Sequence, residues 1–142
     1  MSAPTGAASR RGAGPASGLS LWGPVALYMA LIFWASSLSS PPSPVEVSDK
    51  VQHFAAYAGL GLVAIRATAG GRVRGLTLTG VAAAWALAAV YAVTDEWHQA
   101  YVPGRTSDVA DVAADWLGAG AAAAAAGAFG IIARSRRGPD AH

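Results

Sequence analysis

The sequence predicts an all-α integral membrane protein, a four-helix bundle with its N-terminus and C-terminus both cytoplasmic. Three observations carry this. Charged residues make up only 13% of the 142-residue chain and apolar residues 54%, where soluble domains carry about 25% charge. The apolar residues fall into long runs separated by Pro, Gly and charged groups. The basic residues gather at alternate ends of those runs.

Residues 1–18 are rich in Ser, Ala, Gly and Pro, too polar and small to bury a core, and read as a disordered cytoplasmic tail. Leu21 to Leu38 is uncharged over 18 residues, just enough to cross a hydrocarbon core of about 30 Å. Trp22 and Trp34 lie near its two ends, where amphipathic rings favour the interface. A run of 18 exceeds the apolar region of a signal peptide, usually 7–15 residues, so the helix is read as retained. Ser39 to Pro44 (SSPPSP) stops it.

Phe54 to Ile65 is a shorter apolar run, extended to a full span from Asp49 to Thr68 if its polar ends are tolerated, and ended by Gly70 and Gly71. Leu76 to Thr94 is a third span of 19 uncharged residues. Val112 to Ala133 is the fourth, interrupted by Asp115 and dominated by Ala and Gly. Small residues let backbones approach, so this helix belongs against neighbours rather than lipid. The transmembrane domain thus runs over 19–134, followed by a basic cytoplasmic tail over 135–142.

Four spans divide the connections into two sides. Arg10, Arg11, Arg66, Arg72, Arg74, Arg134, Arg136 and Arg137 fall on one, and only Lys50 and Arg105 on the other: eight of ten cations. The positive-inside rule makes the first side cytoplasmic. Of the acids, Glu46, Asp49, Asp95, Glu96, Asp108, Asp111 and Asp115 fall at the outer side and only Asp140 inside. The pI near 9.4 does not indicate nucleic-acid binding, because the cations are dispersed in short groups. Cysteine is absent, which removes disulfides, thiolate nucleophiles and thiolate metal ligands.

Three segments bring ionisable chemistry to the outer face. In the first, Asp49, His53 and Tyr57 recur every four residues and share a helix face, with Lys50 beside them. In the second, Asp95, His98 and Gln99 converge at the end of the third span, next to Glu96. In the third, a Pro103-Gly104 turn leads through Arg105, Thr106 and Ser107 into Asp108, Asp111 and Asp115, spaced to share one face. Asp108 is also a good helix cap. Asp115 lies about 6 Å beyond Asp111. A charge at mid-helix costs about 2.5–3.5 kcal/mol on insertion scales, so Asp115 should face the bundle, paired with Arg105, Lys50 or a histidine.

These segments together resemble the VanZ-like family of bacterial membrane proteins. The matching residues are Asp49, Lys50, His53, Phe54 and Tyr57, then Glu96 and Gln99, then Pro103, Gly104, Arg105, Asp111, Asp115 and Gly118. The motifs occur in order over residues 21–133, and one departure is Asp115, where the family often carries Asn. The family is named for a member linked to low-level teicoplanin resistance, so the resemblance implies a role at the cell envelope.

Several functions fit these residues. In an enzyme acting on an anionic, lipid-linked envelope precursor, Arg105 and Lys50 hold phosphate or carboxylate. His53 or His98 is the acid or base, oriented by Asp95, Glu96 or Asp111. His53, Glu96, His98 and Asp111 are thus the acid–base candidates, and Asp49, Lys50, Tyr57, Asp95, Gln99, Arg105, Ser107 and Asp115 the binding candidates. A non-catalytic binder or shield for an envelope lipid or an antibiotic needs the same cations and no proton transfer. A divalent ion on His53, His98, Asp95, Glu96 and Asp111 is a third reading. It has no fixed ligand spacing, so no metal ligands are assigned and the cofactor is left unknown. A polar network that only locks the helices is a fourth. A proton or ion conduit is disfavoured, because no ionisable residue marks the middle of a span. The expected partners are membrane lipids and that envelope precursor, not nucleic acid.

Overall fold

A computed structural model describes residues 16–40, 47–72 and 75–135. The tail expected over 1–18 falls almost wholly outside them, as do most of SSPPSP, Glu46, Arg74, Arg136, Arg137 and Asp140. The described residues form four helices and no strand: α1 (Gly18–Ser36), α2 (Asp49–Thr68), α3 (Leu78–Gln99) and α4 (Val109–Ser135). The four-helix membrane bundle read from the sequence is what the chain forms. α1, α3 and α4 are long and apolar enough to cross a membrane. α2 has 20 residues, about 30 Å of helix, but its polar ends keep it below the hydropathy of the other three.

Local chemistry sets the helix ends. The Ser17 side chain accepts from the Ser20 amide and starts α1. Thr77 does the same for Gly80 at α3. α2 ends on Gly70 and Gly71, both left-handed (φ 63° and 72°), with the Gly71 amide donating back to the Arg66 carbonyl. α2 covers the full span from Asp49 to Thr68 expected from the sequence, with Arg66 in its last turn. Its guanidinium donates to the Ser20 carbonyl and ties that end of α2 to α1.

The helices run up, down, up, down, with α2 at the centre of the packing. Tyr57, Leu60, Ala64 and Ala67 of α2 are buried against Ala84, Ala88 and Ala92 of α3 and Ala119 and Ala122 of α4. The interior is mostly alanine, so the helices lie close together. Where α3 meets its neighbours, the Trp116 indole donates to the Ala89 carbonyl and the Tyr91 hydroxyl to the Met29 carbonyl. α1 is peripheral: only Val25 and Ser36 of it are buried. Leu27, Leu31, Trp34, Leu62, Val90, Leu117, Phe129 and Ile131 point outward and are mostly exposed. Such an apolar exterior is untenable in water and suits lipid. The buried polar side chains gather at one end of the bundle: Ser36, Asp95, Glu96, Gln99, Asp111 and Asp115.

Candidate functional site

At that end the three motif segments meet, and α1 adds a fourth. The site divides into two halves around His53.

The first half is a set of ion pairs between α2 and α4. Lys50 Nζ donates to Asp108 Oδ2 and to Asp111 Oδ1, both at 2.6 Å. Asp111 is buried, while Lys50 and Asp108 are about half exposed. Asp108 caps α4, accepting from the Ala110 amide. Lys50 and that amide hold the Asp108 carboxyl below the usual carboxylate range. The Asp108 amide donates in turn to Glu96 Oε1. Glu96 therefore fixes the entry of α4, and its other oxygen is buried without a partner among the described residues.

The second half is a cavity of about 420 Å³ between α1, α2 and α3. Its α1 wall is largely apolar: Tyr28, Leu31, Ile32 and Ala35, ending in Ser36. The opposite wall is polar: Asp49, Gln52, His53 and Tyr57 from α2, Asp95 and Gln99 from α3, and Arg105. Arg105 is aimed by a turn in which its amide donates to the Val102 carbonyl across Pro103 and Gly104. Gly104 takes the positive φ of 82° that the third position of a type II turn requires. One arm of the guanidinium donates to Gln99 Oε1 at 2.7 Å. Asp95 accepts from the Ser36 hydroxyl at 2.7 Å, so α1 closes over a buried carboxylate. The Tyr57 hydroxyl is buried with no protein partner among the described residues, a state that costs about 1–3 kcal/mol.

His53 joins the halves. Its Nδ1 lies 3.0 Å from Asp115 Oδ1, and Asp115 is only 1% exposed. With Asp115 ionised and the imidazole neutral, Nδ1–H donates and Nε2 carries the lone pair. That arrangement presents a base or a metal ligand. The partner of Asp115 is thus the histidine, not Arg105 or Lys50, because one face of α4 lies against one face of α2 and Arg105 is held away by its turn.

The sharing of faces read from sequence holds for Asp49, His53 and Tyr57, and for Asp111 with Asp115. His98 is elsewhere. It stacks on Phe33 with ring centroids 4.3 Å apart, and its Nε2 meets the Ser37 hydroxyl at 3.0 Å. Ser107 is exposed in the turn and does not line the cavity. Lys50 faces its two carboxylates rather than the cavity. Sequence reasoning missed the α1 wall, Tyr28 to Ser36, and Gln52 of α2, which also lines the cavity. The available signal was the Ser36-Ser37 pair, polar residues ending an apolar span at the same face as the acids.

A family model described as VanZ/LLP1 matches residues 23–130. No curated protein and no solved structure matches the chain.

Proposed function

The chain belongs to the VanZ/LLP1 family, and from that premise we propose that its cavity binds the head group of an anionic, lipid-linked envelope molecule. One observation carries this reading: a cavity with an apolar wall from α1 facing a polar wall that holds Arg105, His53, Tyr57 and Gln99. Such a site suits a molecule with a charged head and a hydrocarbon tail, entering beside the peripheral helix. Arg105 is the cation on that wall, and its planar fork fits a phosphate or carboxylate. The Tyr57 hydroxyl offers a further donor. His53, oriented by Asp115, is placed to take a proton from a nucleophile if the bound molecule is processed.

Truncating Arg105 should remove charge-assisted hydrogen bonds of about 1.5–3 kcal/mol, or roughly 10- to 100-fold in affinity. The measurement is binding of a polyprenyl phosphate to the purified protein in nanodiscs. Arg105→Ala should lose that factor and Arg105→Lys part of it, because an ammonium cannot make the paired contact. Undiminished binding by Arg105→Ala overturns the reading. His53→Gln separates processing from simple binding: turnover is lost in the first case, and affinity is kept in both. A change in teicoplanin susceptibility is the corresponding readout in cells.

A purely structural role also has support, but only for the first half of the site. Lys50, Asp108, Asp111 and Glu96 tie α2, α3 and α4 together.

In this reading the cavity opens on the extracytoplasmic side of the cell membrane, and the charge pattern supports it: eight of ten Lys and Arg fall at the other side. The chain has no cysteine, so single introduced thiols report sidedness cleanly. An impermeant maleimide added to intact cells should label Ser107→Cys and spare Leu78→Cys. The reverse pattern would put the cavity in the cytoplasm and end the envelope reading.

A further inference from the structure

We propose that Asp49, His53 and Asp111 bind a divalent cation at the mouth of the cavity. Each offers one ligand atom, and the three atoms lie within 4.8 Å of one another. They come from two helices, α2 and α4, so the cluster is a product of the fold and not of local sequence.

The donor chemistry is one imidazole nitrogen and two carboxylate oxygens, a borderline set that suits Mn²⁺ or Zn²⁺. Ligand bonds of about 2.0–2.2 Å need the three atoms to draw together by up to roughly 1.5 Å. Asp49 is exposed, so its side chain is free to rotate inward. His53 is already held as metal-binding histidines usually are. Its Nδ1 meets the buried Asp115 carboxylate at 3.0 Å, which leaves Nε2 as the ligating nitrogen. Lys50 engages Asp111 Oδ1 at 2.6 Å, so Oδ2 is the oxygen that would turn to the ion.

Two further observations point to a cation. Asp49 and Asp111 lie close to His53, Asp115 is bonded to it, and Lys50 is shared between Asp111 and the exposed Asp108, so the cluster keeps an excess of negative charge. The Tyr57 hydroxyl, on the same helix face and in the same cavity wall, is buried without a protein partner among the described residues. A cation-bound water or ligand group in the cavity would supply its partner. A cation here would also bridge an anionic group to a wall that carries Asp49 and Asp95 beside Arg105. The metal site itself rests on the ligand geometry and stands without the lipid reading.

The test uses the full, untagged chain in detergent, stripped with a chelator and titrated with Mn²⁺ without lipid. Electron paramagnetic resonance should show one bound Mn²⁺ per chain with a histidine nitrogen coupling, and Zn²⁺ should displace it. Asp49→Asn, at an exposed position that does not endanger folding, and His53→Ala should each weaken binding at least tenfold. His98→Ala, outside the cluster, should not. No binding of Mn²⁺ or Zn²⁺ by the wild-type chain overturns the proposal, as does a spectrum without nitrogen coupling or full affinity in Asp49→Asn. Arg105→Ala leaves this readout unchanged, so a failed lipid assay and a failed metal assay are told apart.

Discussion

Gly118→Ala should unseat α4 from α2 and abolish the site with it. A Cβ on Gly118 would lie 2.1 Å from the Phe54 carbonyl oxygen, 2.9 Å from its carbon and 3.0 Å from the Ala58 nitrogen. All three are backbone atoms, so no side chain can swing aside. The two helices must part by about 1 Å or more to restore van der Waals separation. Overpacking of this kind costs at or above the roughly 3 kcal/mol upper end of the usual range. The seam continues a turn on, where a Cβ on Gly61 would lie 3.0 Å from the Ala122 Cβ and 3.3 Å from the Ala119 Cα. In lipid no hydrophobic force restores a separated helix pair, so close packing is what holds it. The separation would open the 3.0 Å His53–Asp115 bond, because His53 precedes Phe54 and Asp115 lies one turn before Gly118. Unfolding in mixed micelles and polyprenyl-phosphate binding should therefore fail together. Gly127→Ala is the comparison: a Cβ there meets nothing within 4 Å, and the better helix former should leave stability equal or slightly higher. Equal stability of Gly118→Ala and the parent chain would contradict the tight seam.

That seam was only partly legible in the sequence. The run of Ala and Gly after Asp115 announced close packing, but not which helix α4 would meet. Helix number and the facing of Asp49 with His53 and Tyr57 follow from periodicity, which is a local property. The same periodicity put Asp111 and Asp115 on one face of α4, while Asp108, expected on that face too, precedes the helix and caps it. What periodicity cannot give is the register between helices. It left three partners open for Asp115, and the choice of His53 depends on how far α4 slides along α2, which Gly118 and Gly61 set. Arg105 looked equally free to reach Asp115 until its turn directed it to Gln99. His98 illustrates the converse. At i+3 from Asp95 it shares much of that residue's direction, yet small differences of angle at a helix end send it to Phe33 and Ser37. The α1 wall was the least legible part, because a peripheral apolar helix shows lipid-facing and cavity-facing residues of the same kind.

His53→Ala should destabilise the protein by about 3–5 kcal/mol, and the loss should depend on Asp115. Removing the imidazole leaves a carboxylate that is 1% exposed without its hydrogen-bond partner, and breaking one side of a buried pair costs in that range. Asp115→Asn alone should cost far less, on the order of 1 kcal/mol. The amide oxygen still accepts from Nδ1–H, and the resemblance noted above has Asn as a frequent occupant of this position. The double variant His53→Ala, Asp115→Asn carries no stranded charge. It should recover part of the loss, giving a coupling of about 1–3 kcal/mol between the two sites. Chemical unfolding of all four chains in the same mixed micelles measures that coupling. If the double variant is as unstable as the sum of the singles, Asp115 is not held as a buried charge by His53. The orientation of Nε2 would then have no fixed cause. With coupling present, function separates from stability in the single variants. Asp115→Asn should keep the fold and the direction of the ring while removing the negative charge behind it. A base or metal ligand that depends on that charge would weaken while the bundle stays intact.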